Sequence, residues 1–273
     1  MRPRYAKGVR QPRHRPREPF SDKCRIRDKE KMRETDLNNI TPLRKLCALL
    51  FDFDGLILDT EYPYYASWSE VYDSFGLNLA LSDWAALIGK GATVLARTPY
   101  EDIEARLGLC LDYDAIRVVR RASFDRLMAL ETALPGVETL IADAKRHGLL
   151  LGVASSSPRN WVVGYLERLG IYDSFDVIRC GDEVERTKPA PDVYLSLLNA
   201  LGIGADEAMA LEDSAHGTAA AKAAGLFCVV VPNRITQHIR AETADLYTES
   251  LEYVTVKQLA EAFTGPRMAR DAT

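Results

Sequence analysis

Histidine is scarce in this 273-residue chain, with only four, which disfavours the metal centres that are built on several imidazoles. Cysteine is nearly as sparse. Cys24, Cys47, Cys110, Cys180 and Cys228 are odd in number, scattered, and show no Cys-x-x-Cys spacing. That pattern excludes a disulfide frame or a cysteine zinc site and points to reduced thiols, so a cytoplasmic setting is expected. No apolar run approaches the length of a membrane helix, so no membrane partner is expected. What is left is ordinary for a globular protein: 47% hydrophobic and 27% charged residues with a net charge of −4. The length allows one sizeable domain plus a smaller one.

Residues 1–41 stand apart. Arg and Lys crowd this stretch between Pro3, Pro12, Pro16 and Pro19, with no apolar face to bury and no hydrophobic segment of the secretory kind. A disordered basic extension is expected, and a flexible tail over residues 266–273. Two readings of the extension stand. It is a solvated extension, or a stretch upstream of an alternative start at Met32; or it is a basic arm of a nucleic-acid-binding regulatory module. Nucleic acid is not the expected partner of the rest of the chain.

The run Leu46-Cys47-Ala48-Leu49-Leu50-Phe51 ends abruptly in Asp52-Phe53-Asp54-Gly55. A continuous apolar run of this length reads as a buried parallel strand whose carboxyl end delivers two acids. Residues i and i+2 of a strand point the same way, so Asp52 and Asp54 share one site if the extension holds. From Tyr62 to about Leu130 the pattern is helical, with Gly76 as a stop and Gly89-Lys90-Gly91 as a break that could face a substrate. Leu134-Pro135-Gly136 then marks a return to another regime. Apolar runs at Leu149–Ala154, Val177-Ile178, Ala208–Leu211 and Phe227–Val231 alternate with amphipathic helices closed by Gly148, Gly170 and Gly202. Alternation of this kind implies a doubly wound parallel sheet, and such sheets bind ligands beyond the carboxyl ends of their strands.

Those ends carry Asp52 and Asp54, then Ser155 with Ser156 and Ser157, then Lys188 in a loop, then Glu212 and Asp213. Each is ordinary alone: Ser155 suits a helix cap, and Lys188 a solvated loop. Together they suit phosphoryl transfer through a carboxylate nucleophile. Carboxylates meeting a phosphate repel, and oxygen-only ligands point to Mg²⁺ as the cation that relieves this. Lys188 neutralises the nucleophile and the transferring oxygens. Ser155 and backbone N–H groups hold the phosphoryl oxygens, and the second carboxylate moves the proton.

Asp52-Phe53-Asp54-Gly55, Ser155, Lys188-Pro189 and Glu212-Asp213-Ser214 resemble, in order, the four motifs of the haloacid dehalogenase superfamily. The resemblance covers about Leu46 to Val231. It implies a Rossmann-like core with an inserted all-helical cap, of the kind found in the β-phosphoglucomutase-like and sugar-phosphate phosphatase branch. Residues 42–60 and 132–265 are then core and 61–131 cap, with hinges near Thr60 and Leu134. Carried over by motif, Asp52 is the nucleophile and Asp54 the general acid and base. Ser155, Ser156 and Lys188 bind the phosphoryl group, and Arg159 or Asn160 adds a substrate contact. Mg²⁺ is held by Asp52, the backbone carbonyl of Asp54, Asp213 and Glu212. The expected activity is a phosphatase for a small phosphorylated metabolite of the sugar phosphate class. A hexose-phosphate mutase is the alternative, but where mutases of the branch carry a cap histidine this chain has Tyr64.

Overall fold

The computed structural model describes residues 45–88, 97–238 and 243–265. The basic extension, Gly89-Lys90-Gly91 and the 266–273 tail lie outside them.

Among the described residues, six parallel strands form one sheet in the order β3-β2-β1-β4-β5-β6. They are β1 Ala48–Phe51, β2 Leu150–Ala154, β3 Val177–Arg179, β4 Ala208–Glu212, β5 Phe227–Val230 and β6 Leu246–Tyr247. The chain enters at the centre, moves outward through β2 and β3, and crosses back to place β4 on the other side of β1. The sheet therefore reverses its winding direction at β1, where a doubly wound fold opens a crevice.

Side-chain alternation along β1 builds two cores at once. Leu49 and Phe51 join α5 (Val137–Arg146), α6 (Arg159–Arg168) and α9 (Val256–Thr264) on one face. Ala48 and Leu50 join α7 (Asp192–Leu201) and α8 (Ala215–Ala223) on the other. This burial on both faces is why β1 reads as an unbroken apolar run.

Between β1 and β2 lie α1 (Glu61–Ser74), α2 (Leu81–Ile88), α3 (Pro99–Leu107) and α4 (Tyr113–Met128). They build an apolar cluster around Trp68, Val71, Tyr72, Trp84, Ile103 and Ile116, joined by Ile235 from the segment after β5. Phe124 and Met128 of α4 instead join the core beneath the sheet. The two connections meet: Leu58 and Ala133 form an isolated antiparallel bridge, and Leu134 N donates to Ile57 O at 2.8 Å. Within the described residues α3 begins at Pro99, where Thr98 caps it and Pro99 takes the first helical position. The sequence pattern did not reveal β6 or α9. β6 is only two residues long and edges the sheet.

Gly136 and Gly148 both take a positive φ, but a Cβ on Gly136 would meet the backbone of Leu251 and Glu252, whereas Gly148 faces open space. Gly148→Ala should therefore cost about 1 kcal/mol by urea unfolding, the left-handed strain alone, and Gly136→Ala clearly more. Equal losses would mean that the 136–251 approach is not tight.

Candidate active site

At the carboxyl ends of β1 and β4, Asp52 N donates to Leu211 O at 2.9 Å. This continues the ladder by one residue and sets Asp52 beside Glu212. Lys188, from the loop before α7, reaches both. Its Nζ lies 2.6 Å from Asp52 Oδ1 and 2.6 Å from Glu212 Oε1, with 6% of its side chain exposed. Tyr194 of α7 donates its phenol to the same Glu212 oxygen at 2.5 Å and lies under the ammonium, 5.1 Å from Nζ to the ring centroid. Asp213 is buried next to this group, and Asn233, just past β5, donates to its Oδ2 at 2.8 Å. The same amide lies 3.0 Å from Glu61 Oε2 and 3.2 Å from Gly55 O. Gly55 is needed here, because its φ is +82° and a Cβ would collide with Asp213 and Asn233.

Glu212 is fully buried, and its Oε2 has no hydrogen-bond partner among the described residues. A Cβ on Gly217 would strike this carboxylate, so the glycine lets α8 close over it. Ser214 caps α8 by accepting from Gly217 N at 3.1 Å.

Asp54 sits in a second pocket of donors. Its Oδ2 accepts from Ser157 Oγ at 2.7 Å and Ser155 Oγ at 3.2 Å, and its Oδ1 from Trp161 Nε1 at 3.0 Å. These donors are all neutral, in contrast to the ammonium that holds Asp52.

The electrostatics follow from burying more acids than bases. Burial, opposed by Lys188 and reinforced by Glu212 and Asp54, pushes the Asp52 carboxyl up to about 8. Burial and the neighbouring Glu61, Asp52 and Glu212 hold Asp213 well above the usual carboxylate range. Glu61 is pushed up to about 7 by burial, against the Asn233 hydrogen bond. For Lys188, burial works towards loss of its charge, but the two carboxylates outweigh it and hold the ammonium above its ordinary range.

A family model described as haloacid dehalogenase-like hydrolase matches residues 49–231. The chain belongs to this family. Among curated relatives, a Bacillus subtilis protein named "Putative phosphatase YhcW" is 43% identical over 75% of this chain and 91% of its own length. Hexitol phosphatase B of Escherichia coli is 33% identical over 79% of this chain and 97% of its own. The crystal structure of CbbY from Rhodobacter sphaeroides in complex with phosphate is similar at a TM-score of 0.56 and 32% identity, covering 76% of this chain and 96% of that one.

For this haloacid dehalogenase-like hydrolase, the residues expected from sequence fall into three groups. Asp52, Lys188, Glu212 and Asp213 come together as one buried cluster. Asp54 and Ser155 meet beside it, but the Ser155 hydroxyl is taken up by Asp54. Ser156 is exposed at the turn. In this structure the polar contacts of Arg159 and Asn160 are with the protein itself. The Arg159 guanidinium donates to Glu183 at 3.2 Å and to Ile178 O at 3.1 Å, and exposed Asn160 accepts from Trp161 N at 3.0 Å. Helix geometry gives the reason: residues two apart point roughly 200° apart, so the turn that brings Trp161 to Asp54 gives Arg159 to Glu183.

Sequence reasoning passed over Trp161, Tyr194, Asn233, Glu61 and the hydroxyl of Ser157. Asn233 was within reach, since it lies just beyond the carboxyl end of a strand like the others. Tyr194 carries no such mark and reads as an ordinary apolar position of α7.

The acid cluster suits a hard cation. Ligand atoms of Asp52, Glu212 and Asp213 lie within 4.8 Å of one another, all are oxygens, and the buried Glu212 Oε2 lacks a partner among the described residues.

The pH dependence has a definite sign. Asp52 titrates near 3.8 when unfolded and about 8 when folded. A carboxyl raised by folding contributes stability that is lost as pH rises through that window. In chelator, the melting temperature should therefore fall from about pH 5 to about pH 8. A divalent cation such as Mg²⁺ should restore more at pH 8 than at pH 5. Equal recovery at both pH values in scanning calorimetry would count against cation binding at these carboxylates.

Proposed function

We propose that this chain is a Mg²⁺-dependent phosphatase that hydrolyses a small phosphorylated metabolite, of the sugar phosphate class, through a phosphoryl group carried on Asp52. The observation that supports this most is the division of labour between the two acids. Asp52 is bound to a buried ammonium shared with Glu212, while Asp54 is held by hydroxyl and indole donors. Burial raises Asp52, and the fixed ammonium together with a bound cation would return it to the ionised form that attacks. One held by neutral donors is suited to give and take a proton.

In this reading Asp52 attacks phosphorus and the bond to the leaving oxygen breaks as Asp54 protonates that oxygen. Asp54 then takes a proton from water, the water oxygen attacks phosphorus, and the bond to Asp52 breaks to release phosphate. Lys188 offsets negative charge on Asp52 and on the transferring oxygens. Asp52, Asp213, Glu212 and the backbone carbonyl of Asp54 would hold Mg²⁺, which when bound supplies charge neutralisation for the incoming phosphate. Ser156 and the backbone at the start of α6 are left to receive phosphate oxygens. Residues 61–131 serve as the cap over a core of 42–60 and 132–265, and selectivity for the esterified alcohol would come from the cap face around Tyr64. The names of the relatives, a hexitol phosphatase and a CbbY crystallised with phosphate, agree with this class.

A phosphate-release screen over hexose, hexitol and nucleotide phosphates, with and without Mg²⁺, tests the reading. Phosphate release should equal substrate loss; substrate consumed without free phosphate would indicate a mutase. Asp52→Asn should lower turnover by more than about 10³-fold, and Asp54→Asn by about 10²- to 10⁴-fold. Wild-type turnover in Asp52→Asn on each ester that the native protein cleaves would sink the covalent mechanism.

A further inference from the structure

Asp54 has a third holder that nothing in the four motifs announces. The indole of Trp161 donates to Oδ1 at 3.0 Å, on the oxygen opposite the two serines. The ring is fixed in turn. Phe124 of α4 stacks on it with centroids 6.0 Å apart and planes 16° from parallel, and Tyr165 packs edge-on at 4.6 Å. Phe124 also meets Tyr64 of α1 edge-on at 6.1 Å. A line of contacts thus runs from the inserted helices through Phe124 and Trp161 to Asp54.

The donor type matters. An indole N–H can only donate, so Oδ1 remains an acceptor whatever the protonation state of Asp54. Serine hydroxyls can turn and accept. The mobile proton therefore belongs on Oδ2, and the carboxyl plane is set by the indole. We propose that Trp161 is a positioning residue for proton transfer. It fixes which Asp54 oxygen carries the proton and where that oxygen points, and the inserted helices hold it there through Phe124. The inference rests on the reading of Asp54 as the acid.

The step concerned is the one in which the leaving oxygen separates from phosphorus and takes the Asp54 proton while Asp52 bonds to phosphorus. An alkoxide needs that proton and p-nitrophenolate does not. The test compares kcat/KM for the best alkyl phosphate of the release screen with kcat/KM for p-nitrophenyl phosphate. Trp161→Phe keeps the stack and removes the N–H. It should lower kcat/KM on the alkyl ester about tenfold, the worth of one hydrogen bond to a charged group, and change p-nitrophenyl phosphate by less than about twofold. Asp54→Asn should show the same bias more deeply. Phe124→Leu, which frees the indole, should show it weakly and carries the test if Trp161→Phe does not fold. Equal losses on both substrates would reduce Trp161 to packing and overturn the inference. A bias in Asp54→Asn with none in the Trp161 or Phe124 variants would overturn it while leaving the acid role standing. No bias in Asp54→Asn would remove the acid reading and the inference with it.

Discussion

The ammonium of Lys188 is what lets the mouth of this sheet exist. Asp52, Glu212 and Asp213 are all buried at one spot. Two like charges about 4 Å apart cost roughly 4 kcal/mol at an effective dielectric of about 20. Lys188 places one positive charge 2.6 Å from both Asp52 and Glu212. Lysine suits this task because its compact charge with three donors can bridge two carboxylates that do not share a plane; a guanidinium fork matches one carboxylate at a time. The arrangement is still short of positive charge, and Asp52 and Asp213 answer by rising above their ordinary range. The deficit is what gives a cation something to bind.

Register brings the parts together. Asp52 and Glu212 are 160 residues apart in the chain, yet Phe51 pairs with Leu211 in a parallel ladder, so the residues that follow each strand emerge side by side. A slip of one residue would turn the two acids to opposite faces. The apolar run of β1 prevents such a slip, because Leu49 and Phe51 fit one core and Ala48 and Leu50 the other. The sheet core and the acid cluster are thus two outcomes of a single pairing.

This explains how much of the site could be read from the chain. Strand ends are marked in sequence by an apolar run that stops at a polar residue, and Asp52, Ser155 and Glu212 all announce themselves in that way. Lys188 followed from the chemistry its neighbours require. Tyr194 and Trp161 did not, because an aromatic on an amphipathic helix reads as packing, and the hydrogen bond each donates depends on a partner more than a dozen residues away. Arg159 is the converse case. A cation near a phosphate-binding turn suggests a ligand contact, and the pattern gave no sign of Glu183 on the neighbouring segment, 3.2 Å from its guanidinium.

The inserted helices are joined to the core by two kinds of contact with different consequences. The apolar cluster around Trp68 and Trp84 is separate from the one beneath the sheet, but it takes in Ile235 from the segment after β5. At the connections, polar groups dominate: Arg234 pairs with Asp59 at 2.8 Å and reaches Glu131 at 4.0 Å, one acid on each connection. Arg168 donates to the carbonyls of Met128 and Glu131. Charged and carbonyl contacts can re-form after a small rotation, whereas an interdigitated core cannot deform gradually. Phe124 and Met128 in the core beneath the sheet, and Ile235 in the cluster of the inserted helices, are contacts of the second kind. Glu61 stands at the start of α1 and shares Asn233 with Asp213. The first carboxylate of the inserted helices is thus part of the hydrogen-bond network of the acid cluster, and it is one of the charges that hold Asp213 above its ordinary range.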